Sequence, residues 1–218
     1  MVRAQGCTYS TRRKKNTEEI NQSREEVIMK YNWIGLDYGG DKSGTTAIAY
    51  EEGGRISFAQ ATKKESADSW IEFWLHLHDF PQVFIDAPLS IPGGFYGIRG
   101  DYMFRKADRE VKAMSPMFLG GMTARAVQLK QKLEAQGWML FETYPAQLER
   151  ELFGSSTPKK EAIHEDRLSH FCRKVHLDID LPQNRHQYDA LCAWVSGWRQ
   201  RSGEGKQFGR ADEGLIYV

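Results

Sequence analysis

The segment VFIDAPLSIP (residues 83–92) reads as a short buried strand, Val83-Phe84-Ile85, that ends on an ionisable Asp86 and breaks at Ala87-Pro88. A carboxylate held against an apolar run costs desolvation energy unless something compensates it. Two further segments share this grammar: NWIGLD (32–37) runs into YGG, and WMLFE (138–142) into TYPA. Each is an apolar run, then one acid, then a turn containing Gly or Pro. Such continuous apolar runs suit parallel strands covered by helices. Side by side in one direction, neighbouring strands lie about 4.8 Å apart. Asp37, Asp86 and Glu142 then meet at one sheet edge, where open α/β sheets bind their ligands. Like charges so close repel and raise at least one pKa. Bound divalent cations reverse that problem, and oxygen-only ligands suit Mg2+ or Mn2+. Taken singly, each strand-end acid also reads as a turn or helix cap.

The rest of the body fits one α/β domain over residues 29–218. GTTAIAYEE (44–52) and RISFAQATK (55–63) follow the first strand with a Gly-containing turn between them, which predicts an antiparallel meander. Ser66 offers a helix start, and Trp70, Phe73, Trp74 and Leu77 form an apolar stripe. Mixed-charge DYMFRKADREVKAM (101–114) reads as helical. So does the next stretch, with Met122, Ala126, Leu129 and Leu133 on one face and a stop near Gly137. Ile163, Leu168, Phe171, Cys172 and Val175 mark another amphipathic helix. The last long helix begins at HQYDALCAW (186–194), and GLIYV (214–218) reads as a terminal strand. On that last helix His186 and Asp189 are i, i+3 and share a face. Asp189, Ala193 and Ser196 or Gly197 form a strip of mostly small residues. That strip predicts close approach to the sheet, bringing Asp189 to the same acids, although an Asp near a helix start is also favoured by the helix dipole alone.

Composition narrows the class. The chain has 218 residues, 40% hydrophobic, with net charge +1, so any nucleic-acid contact comes from local patches and not from a global basic field. Cys7, Cys172 and Cys192 form no CxxC and suit no zinc site, which predicts a reduced, cytoplasmic compartment. No apolar run approaches membrane-span length. Residues 1–28 carry RRKK (12–15) and few apolar residues, and read as a basic, disordered extension. Met29 is a plausible alternative beginning.

The ordered set IGLDYGG, FIDAPLS, FETYPA and a late HxxDA resembles the RNase H-like nuclease superfamily, above all the predicted nucleases of domain-of-unknown-function family 429. The similarity runs over roughly residues 31–218. It implies a mixed five-stranded sheet flanked by helices: strands 1–3 as an antiparallel meander, and strands 4 and 5 parallel to a central strand 1. It implies a divalent-metal-dependent nuclease with two cations held by Asp37, Asp86 and Asp189, and with Glu142 as a further, less general ligand. His186 with Asp189 resembles the HxxD of RuvC-type resolvases.

The chemistry expected is hydrolysis of phosphodiester bonds in nucleic acid, by two cations about 4 Å apart. His186 would orient a water or take a proton. Arg99 and Arg105 would position phosphates, since the resemblance places basic residues after IDAPL. Their neighbours Lys106, Arg109 and Lys112 are interleaved with acids, as on any solvated face. Tyr96, Tyr102 and Phe104 read as core more readily than as base-stacking residues. Two other functions fit the pattern. One is an inactive nucleic-acid- or protein-binding module on the same fold. The other is an actin-like phosphotransferase fragment, suggested by Asp37-Tyr-Gly-Gly and Thr45-Thr46, although the GxxxxGK[ST] order is absent.

Overall fold

The computed structural model describes residues 31–98, 100–156 and 165–218. The N-terminal extension, Arg99 and Ile163 lie outside the described residues.

Residues Asn32–Val218 form one compact unit. The three acid-ended segments are strands β1 (Trp33–Asp37), β4 (Gln82–Asp86) and β5 (Met139–Thr143), and the meander adds β2 (Ala47–Glu52) and β3 (Arg55–Gln60). β1 pairs antiparallel with β2 and parallel with β4, and β4 pairs parallel with β5. Those are the directions expected. The sheet is larger than the expected five strands. β6 (Asp178–Ile179), β7 (Gln207–Arg210) and β8 (Gly214–Tyr217) extend it to eight, in the order β6-β3-β2-β1-β4-β5-β8-β7. GLIYV is thus a strand, β8, parallel to β5.

One face of the sheet packs against helix α1 (Ala67–Leu77) and helix α4 (Gly121–Glu134). Ile34, Leu36, Val83 and Ile85 meet Ile71, Leu75, Ala126 and Leu129 there. The sequence stripe on α1 is rotated from the expected one. Ala67, Ile71, Trp74 and Leu75 are buried, while Phe73 and Leu77 are 67% and 66% exposed. The i, i+3, i+4, i+7 pattern fits two neighbouring faces here, and the smaller Ala67–Ile71 side is the one that reaches the sheet. The helix expected over 101–114 shrinks to α2 (Lys106–Glu110), because Lys112 takes a left-handed φ of 51° that ends it. The short α3 (Pro116–Leu119) follows, capped by Ser115 Oγ.

The opposite face is covered by α7 (Arg185–Ser202), buried almost all round from Gln187 to Gly197. Its closest approach is set by two glycines. A Cβ on Gly35 of β1 would lie 2.1 Å from the Ala190 carbonyl oxygen and 2.3 Å from the Trp194 nitrogen. One on Gly197 would lie 2.6 Å from Trp33 Nε1 and 2.8 Å from the Phe84 ring. Trp33 Nε1 donates to the Trp194 carbonyl at 3.1 Å, which fixes the register of helix on strand. Helices α5 (Pro145–Phe153) and α6 (Glu165–Val175) lie between β5 and β6 in the chain.

Gly35→Ala therefore pushes a methyl into helix backbone that cannot rotate aside. We expect a loss of about 3 kcal/mol or more, at the upper end of overpacking effects, read by urea denaturation. A loss below about 1 kcal/mol would show that α7 is not held at this distance.

Candidate active site

Asp37 and Asp86 are register partners at the carboxyl ends of two adjacent parallel strands. Side chains alternate along a strand, so the position decides the face. Asp37 follows Leu36 of the core and shares the side of Gly35, which faces α7. Asp86 likewise shares the side of Phe84. Glu142 falls one position short: it is opposite Ile85, not Asp86. A one-residue offset sends a side chain to the other face, so Glu142 is not the third equivalent of the pair.

Glu142 is instead buried in an ion network. Arg105 Nη1 donates to Oε2 at 2.6 Å and Nη2 to Oε1 at 2.5 Å, while the Leu89 N–H donates to Oε2 at 2.8 Å. The same guanidinium binds Asp108 (Nη2 to Oδ1, 2.6 Å). Arg105 is 1% exposed. It therefore stands behind the β4 turn as a strut, not at the surface as a phosphate contact. Burial pushes the Glu142 carboxyl up, and Arg105 and the Leu89 N–H pull it back. With three donors on its oxygens, the carboxylate is the form this geometry serves. Arg105 is also desolvated, but its two acids outweigh that and hold it charged. Glu213 fastens the same segment: Oε1 accepts from Gly93 N at 2.7 Å and Oε2 from Lys106 N at 2.9 Å.

The α7 N-terminus brings the remaining groups. Asn184 caps it through Gln187 N, at 3.1 Å. His186 Nδ1 lies 2.7 Å from Asp37 Oδ2, so the HxxD histidine partners the first-strand acid and not its own helical neighbour. Asp189 is engaged by Arg185, with Nε donating to Oδ2 at 3.0 Å and Nη2 lying 2.8 Å from Oδ1. That second contact is not a well-directed hydrogen bond, leaving Oδ1 a buried oxygen without a donor. Burial pushes the Asp189 carboxyl up to about 6; Arg185 opposes this, and the charges of Asp37 and Glu149 add to it.

Asp37, Asp86, Arg185, His186 and Asp189 line one cleft of about 540 Å³, with the buried Arg105–Glu142 pair at its wall. Tyr144, from the TYPA turn, lines it too. Burial raises its phenol pKa, which Arg150 opposes and Asp86 reinforces. Met114, Leu119 and Met122 form an apolar wall. Tyr96 and Tyr102, expected in the core, are 55% and 60% exposed. Phe104 is half-buried, with Phe118 edge-on and the Arg109 guanidinium 4.8 Å above its ring. In the glycine-rich loop after β1, Gly39 N is bound to Thr46 Oγ1 at 3.1 Å, so this amide is committed within the loop and is not presented to a nucleotide phosphate.

Among the described residues, no group of three or more His, Cys, Asp or Glu is arranged as a ready metal cage. The donor set still suits a hard divalent cation. Mg2+ is commonly held by one or two carboxylates, with water and substrate oxygens completing its shell. Asp37 and Asp86 supply that pair.

Sequence reasoning missed Arg185, Asp108 and Glu149. Two left a signal: Arg185 lies four residues before Asp189, a helical ion-pair spacing, and Asp108 lies three after Arg105. Glu149 gave none, since its partners come from distant segments.

No family model and no curated protein matches the chain, so the likeness to family 429 is carried by the motifs alone. Among solved structures the chain is similar to the Thermus thermophilus RuvC structure, with a TM-score of 0.42 and 16% identity, covering 79% of this chain and 96% of that one. No helix of the described residues is long and apolar enough to cross a membrane.

Two measurements follow from these networks. Arg105→Ala leaves Glu142 and Asp108 buried without their cation and should cost about 3–5 kcal/mol in urea unfolding; a cost near zero would mean the strut is not formed. The second concerns pH. Folded Asp189 keeps its proton up to about pH 6, against an ordinary value of 3.8. Between those values the folded state binds more protons than the unfolded chain. Stability contributed by this group therefore falls as pH rises through that window, by on the order of 2–3 kcal/mol in all. Asp189→Asn lacks this component, so urea midpoints of the two proteins should diverge from pH 4 to pH 7. Parallel profiles would refute the assignment.

Proposed function

We propose that the cleft binds divalent cation and hydrolyses phosphodiester bonds of nucleic acid. The observation that carries this reading is the register of Asp37 with Asp86 on adjacent parallel strands, open to a cleft at the carboxyl end of the sheet. Two aligned carboxylates repel unless a cation lies between them. The resemblance of IGLDYGG, FIDAPLS and the late HxxDA to RNase H-like nucleases supports the same chemistry.

Asp37 and Asp86 would hold the metal. A bound divalent cation lowers the pKa of water and neutralises phosphate charge. His186, fixed through Nδ1 to Asp37, is placed to take a proton from a water or return one to a leaving oxygen. Asp37 in turn holds the imidazole ring in place. The Arg105–Glu142 pair positions Leu89 and Ser90, and with them the turn that aims Asp86: Leu89 N donates to Glu142, and Ser90 Oγ accepts from Arg105 at 2.9 Å. The half-exposed Phe104–Phe118 pair and Tyr144 offer aromatic surface on which an unpaired base can stack.

The test is a panel of labelled DNA and RNA substrates, single- and double-stranded, with Mg2+ or Mn2+, run beside Asp86→Asn. Cleavage by the wild type should fall by at least about a hundredfold in the variant, while circular dichroism stays unchanged. No cleavage of any substrate, or equal cleavage by both proteins, would overturn the reading and leave a binding module.

A further inference from the structure

The resemblance to RNase H-like nucleases implies two cations, and the second would need Asp189. The structure gives that carboxylate a different partner. Arg185 lies against both Asp189 oxygens, at 3.0 and 2.8 Å, and its Nη2 also reaches Glu149 Oε2 at 3.3 Å. Its guanidinium carbon sits 5.0 Å from the centre of the Tyr188 ring. Glu149 is 0% exposed and is itself held by Arg167 and by the Tyr188 hydroxyl, which donates to Oε1 at 3.0 Å. Arg185 is thus held on several sides by groups that are themselves fixed. It is not a surface side chain that happens to lie near an acid. Asp189, Glu149, Arg185 and Arg167 balance to zero charge. A divalent ion on Asp189 would add two positive charges beside a guanidinium already held by both acids.

We infer that the Arg185 guanidinium is a built-in cation filling the Asp189 side of the cleft, so that the site takes one divalent ion, held by Asp37 and Asp86, in place of two. This inference rests on the metal-dependent reading given above and sharpens it. A single Mg2+-type ion on two carboxylates is completed by water and by substrate oxygens. Arg185 is then a positioning residue: it neutralises Asp189 and so withholds from a second ion the carboxylate it would need.

The experiment titrates Mn2+ alone into the purified full chain by calorimetry and records its EPR spectrum. Wild type should bind one Mn2+ per chain, with the spectrum of an isolated ion, and Asp86→Asn should lose it. Arg185→Gln uncovers Asp189 and should double the stoichiometry to two, with spin coupling between the ions. Arg185→Lys keeps the charge and should stay at one, which also guards against a glutamine variant that folds poorly. Two Mn2+ on the wild type, or a folded Arg185→Gln that still binds one, would overturn the inference while leaving the metal-dependent reading intact. No Mn2+ bound by the wild type would overturn both.

Discussion

The close seating of α7 on β1 is the constraint on which the site depends. Gly35 leaves no side chain between strand and helix, and the Ala190 carbonyl occupies the space a Cβ would take. An ordinary residue there would hold the helix axis further from the sheet. His186 would then fall short of Asp37, which it now meets at 2.7 Å. The same contact sets how deep Asp189 lies. Both side chains belong to the first two turns of α7, so one packing distance governs the geometry of the whole cleft wall.

Around that seat, charge is handled in two different ways. Behind the β4 turn, Glu142 and Asp108 share one buried guanidinium, and the cluster is a support with its lone pairs used internally. In the cleft, Asp37 and Asp86 are aligned with each other, and His186 meets one of them at the solvent side. The first arrangement fixes backbone. The second concentrates negative charge where a ligand can enter. Buried ion pairs add little net stability compared with apolar packing, yet they are costly to break. That asymmetry suits a turn whose shape matters more than its contribution to folding.

Much of this was legible in the sequence. Apolar runs ending on an acid marked β1, β4 and β5, because burial on both sheet faces writes itself as an unbroken hydrophobic stretch. The strip of small residues on α7 announced the close approach. What the residues did not disclose was phase. Whether Glu142 joins Asp86 depends on a single step of strand register, and WMLFE reads the same either way. The short strands β6 and β7 escaped for another reason: two- and four-residue segments with half-buried patterns carry no periodicity to detect. Arg105 looked like a surface cation because a sequence shows its charge and not its burial. Glu149 gave no signal at all, since its partners arrive from α6 and α7.

Glu213 carries one more consequence, and it concerns the order of synthesis. It binds the amides of Gly93 and Lys106, which precede it by 120 and 107 residues. β8, the strand that follows it, covers the outer edge of β5. A ribosome delivering this chain has made β1 to β5 and the acids they carry long before that hairpin emerges. Until then the β5 edge is an unpaired ladder, open to pairing with another chain, and the segment after β4 lacks its clasp. The nascent protein thus holds its carboxylates early and acquires the frame that orients them late, which separates having the residues of a site from having the site.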